Sequence, residues 1–291
     1  GLGVTEAALV VQAISESGAG NSGVSAVAVG FFGLNPLIEF GTDEQRREWL
    51  PRIIRREDIA CFGVTEPGTG HDTTRLKTRA ERDGDNYIIH GEKVWISTAQ
   101  VANKIMLIAR TTPIEQCAKP SDGLSLFYAD LDRRYVDIRV IDKMGRKCVD
   151  SNEVFFDGLP VSRDQLIGEE GKGFRYLLHG LNAERVLIAA GLVGLGRAAL
   201  ARAVSYANER EVFGRPIGMN QAIQHPLAAN WAALEAANLM AFKAADLYDR
   251  GLPCGAEANA AKYLAAEAAF ETCTAVWGTR RSITSSVTCA K

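Results

Sequence analysis

The apolar and polar positions of this chain change texture twice along its 291 residues. Through about residue 60 the pattern is helical. TEAALVVQAISESG predicts a helix capped at Thr5 and stopped at Gly18. In GTDEQRREWLPRII, Thr42 and Gln45 fit a capping box, in which each side chain bonds the other residue's main-chain N–H. From residue 61 to about 165 the helical pattern gives way to short β-rich runs: DNYIIHGEKVWIS, KIMLIAR, LSLFYADLD, VDIRVID and EVFFDGLPV. Turn signals such as Asp83-Gly84 and Ser121-Asp122-Gly123 separate them, which predicts an antiparallel β-module, a small barrel or a pair of sheets.

After GEEGKGF the helical pattern returns in three long stretches, at about 172–209, 217–249 and 256–277, divided by GRPIG and RGLPCG. Long helices with short connections pack as antiparallel neighbours, and their many alanines predict close approach. The fold class expected is therefore α+β: N-terminal helices over 1–60, a central antiparallel β-domain over 61–167 and a C-terminal antiparallel helical bundle over 168–291. A bundle ordinarily has a fourth helix, and the tail GTRRSITSSVTCAK has no apolar period. The chain is accordingly expected to be trimmed at both ends, with a frayed C-terminus.

Composition narrows the function classes. A net charge of −2 gives no basic footprint for nucleic acid. The stretch SAVAVGFFGLNPLIEF is broken by glycines and a proline, which argues against a membrane span there. The opening residues run straight into a helical pattern without a basic start, so no signal peptide is expected there. The six cysteines form no CxxC pair and no metal-like spacing with the four histidines, the pattern of reduced thiols in a cytosol-like compartment.

GLVGLG at 191–196 has the wrong spacing for a dinucleotide loop and sits inside a helical pattern, so close helix packing is expected there. TEPGTGHD at 65–72 places two glycines, a proline and two acids between helix and strand. Its glycines permit unusual backbone angles and close approach of a ligand to main-chain N–H groups, although such a segment is more often only a turn. GEKVWISTAQ ends a strand on Trp95, Ile96 and Ser97, and a tryptophan at such a position ordinarily belongs to the core.

Taken in order, the segments resemble a known family. TEPGTGHD resembles the TEP-x-A-G-S-D signature of the acyl-CoA dehydrogenases, and GEKVWIST their G-x-K-x-W-I-T/S segment. NEREVFGRPIGMNQAIQ at 208–224 is similar to their ER-x-x-FG-x-x-I-x-x-x-Q element; IGEEGKGF and NAERVLIAAGLVGLGRAALARA are also similar. The resemblance implies an oxidoreductase that binds FAD and converts an acyl-CoA to the trans-2-enoyl-CoA, passing electrons to an electron-transferring flavoprotein. It implies flavin contacts at Phe62, Val64 and Thr65, with Trp95, Ile96 and Ser97 flanking the ring. Gly70 and His71 would lie near the pyrophosphate. Arg210, Phe213 and Gln221 would reach FAD held by a neighbouring subunit, hence a homodimer or homotetramer. Thr69 and His71 depart from the family's usual Ala and Ser.

The subset resembling isovaleryl-CoA dehydrogenase carries its catalytic base early in the first bundle helix. That position here is Glu184, with Asn182 and Arg185 along the acyl-CoA groove; a plainer account makes Glu184 a solvated helical acid. The same resemblance implies a role in fatty-acid β-oxidation. It implies a cytoplasmic location in a bacterium, or the mitochondrial matrix in a eukaryote. Two alternatives stay open: a non-catalytic homologue, since AVWGTRRS does not match the family's closing segment, and an oxidase-type flavoenzyme.

Overall fold

The computed structural model describes residues 3–28, 33–69 and 71–280. The chain forms two compact units, one of Gly1–Val27 with Leu181–Lys291 and one of Ala28–Gly180. The order of elements is the expected one, N-terminal helices, a central β-sheet and C-terminal helices.

α1 (Val4–Ile14) runs through a π-turn at Ser15–Ala19 into α2 (Gly20–Ala28). Gly18, at φ 98°, kinks this segment without ending it. The expected cap at Thr5 is not made. Thr5 lies inside the first turn, and the free N–H groups of Val4 and Thr5 donate instead to the Asp249 carboxylate, at 2.7 and 2.9 Å. α3 (Asn35–Phe40) and α4 (Asp43–Ile54) follow. α4 starts with the predicted capping box, Gln45 N–H to Thr42 Oγ1 at 3.2 Å and Thr42 N–H to Gln45 Oε1 at 2.9 Å.

Among the described residues, eight strands form one sheet: β1 (Ala60–Gly63), β2 (Arg79–Asp83), β3 (Asn86–Ser97), β4 (Lys104–Arg110), β5 (Leu124–Asp130), β6 (Val136–Val140), β7 (Ser151–Val161) and β8 (Leu166–Ile167). Their order is β6-β7-β3-β2-β4-β5-β8, with β1 beside β4. Neighbours are antiparallel except along β4, which β1 and β2 meet in parallel. The apolar run of β4 is buried at all seven positions. Alternation along a strand sends its side chains to both faces. Ile105, Leu107 and Ala109 join Tyr87, Phe127 and Phe156 in one core, while Met106 and Ile108 join Leu37, Trp49 and Tyr128 in another. The second core is roofed by α3, α4 and the first turns of α5 (Gly173–Glu209), where Tyr176 stacks on Phe40 at 4.3 Å.

Beyond Gly180, α5 belongs to the helical unit. A hairpin of β9 (Glu211–Val212) and β10 (Arg215–Pro216) leads to α6 (Gln221–Asp249) and then α7 (Gly255–Arg280). The seams are largely alanine: Ala189, Ala237, Ala241, Ala261 and Ala265 in one cluster, Ala8, Ala190, Ala244 and Ala258 in another. GLVGLG lies inside α5, and a Cβ on Gly194 would come within 2.4 Å of the Gln12 carbonyl of α1. Close packing is what these glycines serve. By length and composition α5 could cross a membrane, at mean hydropathy 1.6 over its most apolar window, yet more than half of that window is buried inside the protein. The tail from residue 281 lies outside the described residues.

Candidate active site

In the sheet unit, β1 delivers Phe62, Val64 and Thr65 to the start of the glycine turn. Phe62 and Val64 are half-buried, leaning on the core beneath α3 and α4. Gly68 takes φ 81°, and a Cβ there would meet nothing, so backbone angle rather than space calls for glycine. His71 is exposed, and Gly70 lies outside the described residues.

The second segment is shaped by a bulge. The β3–β7 ladder pairs Lys93 with Val154 and then Ile96 with Asn152, so β3 carries an extra residue across that gap. Bulges re-aim side chains and are frequent beside active sites. Here the bulge sets Trp95 at φ 64° and leaves the residue 61% exposed. The plainer alternative, a core tryptophan, is not what the fold shows: the bulge removes the residue from the alternation that would have buried it. A bulky residue at positive φ costs ~1–3 kcal/mol and persists only where its surroundings enforce it. Thr65 and Asn152 do so from either side. Val94 N–H donates to the Thr65 carbonyl at 2.9 Å, and the Asn152 amide donates to the Ile96 carbonyl at 2.8 Å. The Ile96 side chain is in the core, so only its main chain faces outward chemistry, and Ser97 is half-buried.

Val64 and Thr65 thus lie beside the Trp95 bulge, although about thirty residues separate them from it in sequence. They offer an exposed aromatic face and main-chain groups at a strained bulge, and three residues beyond Trp95 the buried Thr98 Oγ1 has no hydrogen-bond partner among the described residues. That set fits a flat, polar-edged ring such as a flavin's.

Glu66 and Lys93, which sequence reasoning passed over, form a buried ion pair at 2.8 Å between the two segments. The signal was present in both quoted motifs, TEP and GEK. Arg110 was missed as well. Its buried guanidinium donates to the carbonyls of Thr74, Leu76, Thr112, Pro120 and Asp122, tying the stretch after the glycine turn to the loop before β5.

In the helical unit, Asn182, Glu184 and Arg185 follow one another on α5, all half-buried. Arg185 Nη1 donates to Asn182 Oδ1 at 2.9 Å. Burial pushes the Glu184 carboxyl above the usual range, against the opposing pull of Lys262 on α7 and of Arg185. A freely solvated acid would not show that shift. Arg210, Phe213 and Gln221 gather around the β9–β10 hairpin, all exposed. Its two-residue turn puts both Phe213 (φ 54°) and Gly214 (φ 74°) in the left-handed region, with the Phe213 ring fully exposed at the tip. Such turns ordinarily favour Asn or Gly at the first position.

Comparison with known proteins identifies the family. Family models of acyl-CoA dehydrogenase match in order: the N-terminal domain over residues 1–57, the middle domain over 61–159 and the C-terminal domain over 171–280. The acyl-CoA dehydrogenase fadE12 of Mycobacterium bovis is 36% identical over 270 residues, 92% of this chain and 68% of that protein. The butyryl-CoA dehydrogenase of Megasphaera elsdenii superposes with a TM-score of 0.87 at 28% identity, covering 94% of this chain and 71% of that one. A chain from the structure of the electron transferring flavoprotein of Acidaminococcus fermentans does so with a TM-score of 0.88 at 30% identity, again over 94% and 71%. Three family domains in order, on the fold those domains build, make this chain a member of the acyl-CoA dehydrogenases, a family of FAD-dependent oxidoreductases.

Proposed function

We propose that this chain dehydrogenates an acyl-CoA thioester to the trans-2-enoyl-CoA, with Glu184 as the base for the α-proton. The observation that carries the reading is the half-buried Glu184 beside Arg185 on α5, whose carboxyl burial holds above its usual range. The α-proton of a thioester is a weak acid, and a base held above the ordinary carboxylate range takes it up more readily. On accepting it, Glu184 loses a charge that its setting solvates poorly. Arg185, steadied by Asn182, keeps further N–H donors for the acyl-CoA.

Phe62, Val64 and Thr65 would hold the flavin together with Trp95, the Ile96 main chain and Ser97, and His71 and Gly70 would serve its pyrophosphate. When bound, FAD supplies the acceptor for the β-hydride. The exposed cluster of Arg210, Phe213 and Gln221 is assigned to the FAD of a neighbouring subunit, which makes the working form a homo-oligomer. The electron acceptor is assigned as an electron-transferring flavoprotein and the metabolic setting as fatty-acid β-oxidation.

The test is an absorbance spectrum of the chain loaded with FAD, titrated under argon with a panel of acyl-CoA thioesters. Bleaching by one thioester, abolished in Glu184→Gln while FAD stays bound, is the expected result. A chain that holds no FAD would instead support a non-catalytic homologue. Peroxide released during turnover in air would favour an oxidase.

A further inference from the structure

The geometry points to Glu66 and Lys93 as positioning residues for the flavin: a buried ion pair that fixes the glycine turn against the Trp95 bulge and so sets the spacing of the two segments assigned to the ring. This rests on the flavin reading above.

Both residues are sealed from solvent, Lys93 with a side chain 0% exposed and Glu66 3%. Lysine is almost never fully buried unless paired. Lys93 Nζ donates to Glu66 Oε1 at 2.8 Å and to the Val64 carbonyl at 3.0 Å. Glu66 in turn accepts from the main-chain N–H groups of Lys77, at 2.6 Å, and Thr78, at 2.9 Å. Thr78 closes the circuit, its hydroxyl donating to the Glu92 carbonyl at 3.1 Å. Gly91, at φ 143°, makes the approach possible, since a Cβ there would sit 2.6 Å from Thr78 Cα. Burial pushes the Lys93 ammonium down to about 8, against Glu66. Burial also pulls the Glu66 carboxyl upward, but Lys93 and the N–H donors outweigh it and hold the group below its usual range.

Two consequences favour positioning over simple stabilisation. A well-packed apolar pair of similar volume is often as stabilising as a buried ion pair, so stability alone does not call for one. What the charges add is direction. Their hydrogen bonds end on Val64, on the 77–78 stretch and on β3 one residue before the bulge, and Val94 N–H completes the frame at Thr65. A shift in this frame would move the assigned ring contacts while leaving the two cores of the sheet in place.

Two variants test it. Glu66→Asp keeps the charge but withdraws the carboxylate, and the double variant Glu66→Gln/Lys93→Met removes both charges together. For each, the FAD dissociation constant is measured by quenching of flavin fluorescence, the visible circular dichroism of bound FAD is recorded, and the unfolding temperature of the flavin-free chain is determined. The expected result is FAD binding weakened about tenfold or more with an altered dichroism signature, at an unfolding temperature close to wild type. Wild-type affinity and dichroism in a folded variant would overturn the inference, as would affinity lost only in step with unfolding temperature. If the double variant does not fold, Glu66→Asp decides alone. Failure of the wild-type chain to bind FAD would instead remove the flavin reading itself, and this inference with it.

Discussion

Replacing Gly194 by alanine pits two effects of known size against each other. On an exposed helix the change stabilises by ~1 kcal/mol, because alanine loses less backbone freedom. In α5, however, the new methyl would lie 2.4 Å from the Gln12 carbonyl, 3.0 Å from Ser15 Cβ and 3.1 Å from Glu16 N. The nearest of these is backbone, which cannot rotate away, so α1 would have to retreat by roughly 0.6 Å to reach even 3.0 Å. Overpacking of a tight contact costs ~1–3 kcal/mol, and a backbone obstacle belongs at the upper end. The net expectation is a loss of ~2 kcal/mol. At ~2–4 °C per kcal/mol for large domains, the unfolding temperature falls by about 4–8 °C. Gly191→Ala is the internal control: its methyl would meet Val11 Cγ1 at 3.2 Å, a side-chain tip that can yield, so it should be neutral or slightly stabilising. Thermal unfolding followed by far-ultraviolet circular dichroism separates the two. A Gly194→Ala chain at or above the wild-type transition would refute the account of GLVGLG as a packing motif.

Three further outcomes are expected. Glu184→Gln should lower kcat by ~10²–10⁴ with FAD still bound, the usual worth of a positioned base, and a smaller loss in stopped-flow turnover would argue for another base. In the wild-type chain the ionised carboxylate is the active form, so kcat/KM should rise with pH through a limb above the ordinary carboxylate range. Lys262→Met, by deleting a charge that favours ionisation, should move that limb to higher pH, and a move to lower pH would contradict the assignment. Asp249→Ala strips the only acceptor observed for the Val4 and Thr5 amides among the described residues, and should cost ~1 kcal/mol in urea unfolding, as loss of a helix cap does. An unchanged urea midpoint would show that water caps α1 equally well.

What could be read from sequence was whatever depends on neighbours along the chain. The capping box at Thr42 and Gln45, the alternating strands and the three long helices are all local patterns, and all are present. The site segments were recognisable because TEPGTGHD, GEKVWIST and NEREVFGRPIGMNQAIQ keep their order. Illegible features are those settled by residues far apart. No local rule announces that the cap of α1 comes from Asp249 rather than Thr5. The exposure of Trp95 depends on a bulge defined by β7, and the burial of Lys93 on a carboxylate delivered by another loop. Arg110 looks in sequence like an ordinary polar end to a strand, and only the fold surrounds its guanidinium with carbonyls.

The cap on α1 also bears on how the protein is made. The sheet unit is one uninterrupted stretch, Ala28–Gly180, but the helical unit joins the first turns of the chain to its last third. Val4 and Thr5 find their acceptor 245 and 244 residues downstream. At ~5–20 residues per second, a ribosome needs roughly 12–50 s between synthesising those amides and releasing Asp249. Until α5 is made, about 180 residues later, the apolar stripe of α1 lacks the surface on which Ala8 and Val11 are to be buried, beside Ala190 and Gly191. The sheet can mature during synthesis, whereas α1 waits first for α5 and then for Asp249, and it is the segment for which a nascent-chain chaperone would have most use.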